Sequence, residues 1–178
     1  MKKPALFPVI WLTGNTGAGK STLAFAMREL FNSRAPLDHP LSRRIIVLDG
    51  DEMRASISVD EGLSPEDRRR HNLRVARLAK LLHEAGNLVI VAVIAPFERV
   101  RSETNAICSP LWVYIKRSGL EAHDRPYEPP VSPDAIIDND TLGIEAAQEQ
   151  LRQFLESVSS GSAKEESQLH TALTASSR

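Results

Sequence analysis

Gly14-Asn15-Thr16-Gly17-Ala18-Gly19-Lys20-Ser21 satisfies the pattern G-x-x-x-x-G-K-[ST]. No other stretch restricts this chain as strongly. Such a loop works only when a strand delivers the chain to it and a helix leaves from it. Both are present. The apolar run from Pro8 to Thr13 reads as a buried strand, and the segment from about Gly19 to Phe31 reads as a helix. Glycines let the backbone curl around a phosphate, and the N–H groups of the loop and helix start supply partial positive charge. Gly14, Asn15, Thr16, Gly17, Ala18, Gly19, Lys20, Ser21 and Thr22 are therefore the expected cradle of a nucleoside triphosphate, with Lys20 on the terminal phosphates and the Ser21 hydroxyl on Mg²⁺.

The rest of the chain repeats the alternation of strand and helix. Arg44 to Leu48 is a second short β-branched run, and it ends in Asp49-Gly50-Asp51 with Arg54 close behind. Loops at the carboxyl ends of parallel strands are where open α/β sheets bind ligands, so these two acids read as site chemistry, the alternative being a polar turn with a capping Asp. Ser64-Pro65-Glu66-Asp67 carries the marks of a capped helix start, and the helix should run to about Ala85, before Gly86. Arg68, Arg69, Arg70 and His71 crowd its first turns against the helix dipole. The cluster is either an anion site or, for Arg69 and Arg70, a solvated face.

Leu88 to Ile94 is continuously apolar, as a strand covered on both faces should be, and no acid follows it. The carboxylate for a metal must then come from Asp49 or Asp51. A short helix to about Ile107, a strand over Leu111–Ile115, a short loop from Lys116 to Arg125, a fifth strand over Ala135–Asp138 and a helix from Ile144 to about Val158 complete the pattern. The expected fold is an α/β three-layer P-loop type with a five-stranded parallel sheet. One domain over residues 1–158 and a disordered Ser/Ala/Glu/Lys-rich tail over 159–178 are expected.

A net charge of −1 argues against a global field that would recruit nucleic acid or a membrane surface. No apolar run reaches the roughly 18 residues of a membrane span. The charged start, Met1-Lys2-Lys3-Pro4, leads into the first strand and does not read as a signal peptide, so a cytoplasmic setting is expected. The one cysteine, Cys108, reads as a small buried hydrophobe.

Taken together, Trp11-Leu12-Thr13-Gly14, Gly17-Ala18-Gly19-Lys20-Ser21-Thr22, Leu48-Asp49-Gly50-Asp51 with Arg54, Gly62-Leu63-Ser64 with Asp67-Arg68, and Tyr127-Glu128-Pro129-Pro130 resemble the adenylyl-sulfate kinases over roughly residues 6 to 155. The resemblance implies transfer of the ATP γ-phosphoryl to the ribose 3′-hydroxyl of adenylyl sulfate, with Mg²⁺. It implies Lys20, Asp49 and Asp51 as catalytic residues, and Ser21 with Asp49 at the metal. Asp51, Arg54, Leu63, Arg68, His71, Asn72 and Arg101 would bind the second substrate. The two acids share base and metal duties without being told apart. A homodimer is a family habit.

The departures from that family are specific. Leu63 stands where an aromatic stacks on the adenine, His71 where an asparagine binds substrate (Asn72 is adjacent), and Ala95 where a serine precedes Pro96. The lid segment is cut to residues 116–126, in which Arg117 or Arg125 is a candidate for a lid arginine. Two alternatives follow: a kinase for another small anionic metabolite, or a catalytically weak nucleotide-binding protein.

Overall fold

A computed structural model describes residues 7–121, 123 and 126–175; beyond Ser159 it describes the backbone alone. The elements follow in the order β1 (Val9–Thr13), α1 (Lys20–Glu29), β2 (Ile45–Asp49), α2 (Gly50–Ser56), α3 (Pro65–Glu84), β3 (Leu88–Ala92), α4 (Glu98–Cys108), β4 (Leu111–Lys116), β5 (Ala135–Asp138) and α5 (Ile144–Ala175). The five strands form one parallel sheet in the order β2-β3-β1-β4-β5.

Side-chain alternation along the strands builds two cores. In β1, Ile10 and Leu12 face α1 and α5, while Val9 and Trp11 face α3. In β3, Leu88 and Ile90 join the first core and Val89 and Val91 the second. All four of these β3 side chains are fully buried, which is why the strand reads as unbroken hydrophobicity rather than alternation. The pair Trp11 and Trp112 sits in register across β1 and β4, with ring centroids 5.3 Å apart.

Helix α3 starts as its sequence dictates. Ser64 Oγ accepts from the Asp67 N–H at 3.2 Å, and Asp67 Oδ2 accepts from the Ser64 N–H at 3.3 Å. Gly86 closes the other end in the left-handed region, at φ 93°.

Several elements differ from expectation. Helix α1 gives way after Glu29 to a π-helical turn, Leu30–Arg34, closed by the Ala35 N–H on the Leu30 carbonyl at 2.8 Å. The Asp49-Gly50-Asp51 segment, read as a strand tip, winds into α2 because Asp49 Oδ1 caps the Asp51 N–H at 3.1 Å. Strand β3 ends at Ala92, and the next two carbonyls are taken by side chains of β1: Trp11 Nε1 donates to Val93 at 2.8 Å and Thr13 Oγ1 to Ile94 at 2.5 Å. Helix α5 continues past Val158 to Ala175; its buried anchors are Ala147, Leu151 and Leu155. Among the described residues, no helix is long and apolar enough to cross a membrane. The charged start at residues 1–6 lies outside the described residues.

Candidate active site

The chain leaves β1 through α1 toward β2 on one side, and leaves β3 through α4 toward β4 on the other. A parallel sheet opens a crevice at such a switch. Here it is a cleft of about 370 Å³, lined by Thr16, Gly17, Lys20 and Ser21 from the glycine loop, by Asp49 to Asp51 and Arg54 from β2 and α2, by Leu63, Arg68, His71 and Asn72 from the start of α3, and by residues 92–94 and Pro96.

The loop conformation demands its glycines. Gly19 precedes α1 at φ 104°, a left-handed value that L side chains rarely adopt. Gly14, at φ 150°, runs so close to β4 that a Cβ would meet the Ile115 carbonyl oxygen at 2.3 Å. Lys20 is buried, and its ammonium donates to the carbonyls of Gly14 (2.8 Å) and Asn15 (2.7 Å). Burial lowers its pKa to about 8, against the pull of Asp49 and Asp51.

The two acids occupy distinct environments. Asp49 is buried and uses both oxygens: Oδ1 caps α2, and Oδ2 accepts from the Ser21 hydroxyl at 2.5 Å. In register it lies beside Ala92, at the end of the strand that lacks an acid of its own. Asp51, the second residue of α2, is exposed, and its carboxylate takes no hydrogen bond or ion pair among the described residues. Ser21 and Asp49 are thus a ready pair of hard oxygen donors. No cluster of three or more metal-type side chains exists among the described residues. Such a sparse donor set suits Mg²⁺, which keeps waters and substrate phosphates as its other ligands.

The arginine cluster divides. Arg69 pairs with Glu103 (2.6 Å) and Glu66 (2.8 Å), Arg70 with Glu61 (2.8 Å) and Asp67, and Arg74 with Asp60 and Glu61. These partners leave Arg68 as the member of the cluster that lines the cleft, beside Arg54. Each makes one hydrogen bond to backbone, Arg54 Nη1 to Gly62 and Arg68 Nε to Leu63, both at 2.9 Å. Burial and the neighbouring Arg68 lower the Arg54 pKa. Two adjacent guanidiniums with donors to spare make an anion site.

His71 lines the cleft and is 1% exposed. Burial, with Arg54 and Arg74 nearby, lowers its pKa to about 4, so the ring is neutral at pH 7. Leu63, 65% exposed, lines the rim. Thr22, counted with the cradle in the sequence, points outward as an exposed residue and does not line the cleft.

Arg101 does not line the cleft either. It is 3% exposed, with Nη1 on the Ala95 carbonyl at 3.0 Å and Nη2 on Glu98 at 2.8 Å. A role for it therefore runs through the loop it holds. Sequence reasoning passed over this brace. The carbonyls of Val93, Ile94, Ala95 and Pro96 are held in turn by Trp11, Thr13, Arg101 and the Glu128 N–H. Tyr127, named from the sequence only within the Tyr127-Glu128-Pro129-Pro130 stretch, places its hydroxyl 3.0 Å from Thr13 Oγ1, and its ring stacks on Tyr114. Burial pushes the Tyr127 phenol up to about 12. The signal available was the run of donors Trp11 and Thr13 at the end of a buried strand.

The segment after β4 reaches the glycine loop. Arg117 Nη1 donates to the Gly17 carbonyl at 3.2 Å, and Ser118 is held by Asp140. Arg125 lies outside the described residues. Cys108 is half-buried, and its thiol is pushed up to about 12 by burial.

The strand order and the glycine loop after the central strand define the class: a P-loop nucleotide-binding α/β protein, with an arginine pair lining the same cleft. The sequence profile described as adenylylsulphate kinase matches residues 7–119. The adenylyl-sulfate kinase of Geotalea uraniireducens is 32% identical over 173 residues, covering 83% of this chain and 80% of that one. The crystal structure of APE1195 superposes with a TM-score of 0.77 at 28% identity, over 89% of this chain and 98% of that one. The Mycobacterium tuberculosis APS kinase CysC in complex with AMPPNP and APS gives 0.66 at 28% identity, over 82% and 96%. The chain belongs to the adenylylsulphate kinase family.

Proposed function

We propose that the chain transfers the γ-phosphoryl of ATP to the ribose 3′-hydroxyl of adenylyl sulfate. The observation that carries this reading is the convergence in one cleft of Lys20, Ser21 and Asp49 with the arginine pair Arg54 and Arg68. A protein that only bound nucleotide would need the first set and not the second.

The roles follow from the environments. Glycine-loop N–H groups and Lys20 hold the β- and γ-phosphates. Ser21 and Asp49 would hold Mg²⁺, which neutralises charge on the phosphates. Asp51, which lines the cleft without a partner among the described residues, accepts the proton of the acceptor hydroxyl. The hydroxyl oxygen bonds to the γ-phosphorus as the bond to the β-phosphate oxygen breaks, and ADP leaves. Arg54 and Arg68 orient the acceptor through its phosphate and sulfate, which places the hydroxyl in line. Arg101 acts as a positioning residue through the Ala95 carbonyl.

The proposal includes a catalytic domain over residues 1–158, a cytoplasmic setting and a homodimer, the last supported by the family resemblance and testable by sedimentation velocity. Leu63 and His71 favour one second reading, a kinase of the same class whose acceptor is another small anionic metabolite. The test is ADP release by the purified chain with Mg·ATP, with and without adenylyl sulfate. Strong stimulation is expected. ATP binding without stimulation would move the acceptor elsewhere, or leave a nucleotide-binding protein of little activity.

A further inference from the structure

Among the described residues, three other than glycine have a positive φ: Arg43, Ala95 and Ser109. Arg43 lies in a turn and Ser109 ends α4. Ala95, at φ 46°, is fully buried between Ile94 and Pro96, which both line the cleft. This wall abuts the acids at the end of β2. A Cβ on Gly50 would stand 4.0 Å from Val93 Cγ2, and Asp51 comes next in the chain. An alanine at such a φ is strained, and it persists only where its surroundings over-determine it.

The surroundings do so through two residues that are distant in the chain and absent from the cleft lining, Tyr127 and Glu128. Thr13 Oγ1 has one proton and gives it to the Ile94 carbonyl, so the Tyr127 hydroxyl, 3.0 Å away, donates to Thr13. The Glu128 N–H donates to the Pro96 carbonyl at 2.8 Å. Phe97, the N-cap of α4, has no side-chain cap of its own, and Glu128 Oε2 fills that role by accepting from the Glu98 N–H at 2.8 Å. The capped helix carries Arg101, whose guanidinium holds the Ala95 carbonyl. Both flanks of the strained residue are thereby fastened to one short segment after β4.

We propose that Tyr127 and Glu128 are positioning residues for the phosphoryl transfer: by holding Ala95 at its positive φ, they fix the wall of Val93, Ile94 and Pro96 against which the acceptor is set beside Asp51. The proposal rests on the kinase reading and deepens it. Loss of either clamp lets the alanine relax toward negative φ and shifts the wall. In-line transfer is sensitive to such a shift, whereas Mg·ATP is held by the glycine loop.

The experiment measures kcat and KM for adenylyl sulfate and for Mg·ATP in the wild type, Tyr127→Phe, Glu128→Ala and Glu128→Gln, each with alanine or glycine at position 95. Tyr127→Phe and Glu128→Ala are expected to lower kcat/KM for adenylyl sulfate roughly fivefold to fiftyfold, with KM for Mg·ATP within about twofold. Glu128→Gln keeps an oxygen acceptor for the Glu98 N–H and should stay within a few-fold of wild type. Glycine adopts a positive φ without the side-chain penalty. Measured against Ala95→Gly alone, the losses from Tyr127→Phe and Glu128→Ala should therefore shrink to about threefold or less. A brace that served stability only would leave the two substitutions additive. Equal losses with alanine and glycine at 95, equal losses for both substrates, or unchanged kcat/KM in both variants overturns the inference and leaves the kinase reading standing. A wild-type chain that neither binds nor phosphorylates adenylyl sulfate overturns both.

Discussion

The cleft has two halves that are built differently. On the nucleotide side the backbone carries the design: Gly14 and Gly19 adopt φ values closed to most residues, Lys20 is tied to two carbonyls, and Asp49 spends both oxygens on Ser21 and the α2 cap. On the acceptor side the design is carried by side chains at the start of α3, and several of them have hydrogen-bonding capacity to spare. A backbone-built site tolerates little change and stays close to its motif. A side-chain-built site can be retuned one residue at a time, and Leu63 and His71 both line this half of the cleft.

The sharpest way to break that division is at Asp51, which belongs to neither rigid set. Asp51→Asn is expected to lower kcat by about 10²–10⁴-fold, with the dissociation constant for Mg·ATP within about threefold of wild type. Asp49→Asn should instead damage both, since that carboxylate also holds Ser21 and caps α2. If the two variants behave alike in stopped-flow and equilibrium binding, the separation of base from metal ligand is wrong.

Next in size is Gly14→Ala. A methyl group there meets the Ile115 oxygen at 2.3 Å, and the backbone of β4 is not free to yield. Strain and overpacking together should remove about 2–4 kcal/mol of stability. The urea midpoint should fall with an unchanged slope. A midpoint within error of wild type would show that the loop is less rigid than its contacts imply.

The acceptor half gives a pH signature. An unfolded chain protonates its histidine near 6.5, whereas folded His71 resists to about 4. Between those values the unfolded state binds the extra proton, so stability rises with pH across the window and is lost as pH falls from 6.5 toward 4. By pH 4.5 the loss from this residue is about 2–3 kcal/mol. In His71→Asn that component should vanish, so urea midpoints at pH 7 and 4.5 should lie closer together than in wild type. Equal pH dependence in the two proteins would mean that the imidazole is not held neutral by the fold.

This contrast also explains what could be read from the sequence. The glycine loop, the α3 capping box and the apolar runs are short-range signals, and they placed the five strands, the phosphate cradle and the acids at the end of β2. What stayed hidden depends on partners distant in the chain. The sequence left Arg69 and Arg70 open between an anion site and a solvated face, and their acidic partners, Glu103 and Glu61, are placed only by tertiary packing. Arg101 looked like a substrate ligand until the Ala95 carbonyl and Glu98 took its guanidinium. The α2 helix was missed because its cap is Asp49 itself, a residue already read as chemistry.

The smallest effect tests how far the acceptor half has been retuned. Leu63 is exposed at the rim and offers a base only apolar contact. Base stacking on an aromatic ring contributes about 1–3 kcal/mol where the ring is well placed, and a rim position should realise only part of that. Leu63→Phe is therefore expected to lower KM for adenylyl sulfate by roughly three- to tenfold, with kcat and KM for Mg·ATP unchanged. A fall in KM places the acceptor base over this position and makes the leucine a weakening of the site. No change would put the base elsewhere in the cleft, so that the arginine pair Arg54 and Arg68 would carry acceptor affinity without help from this position.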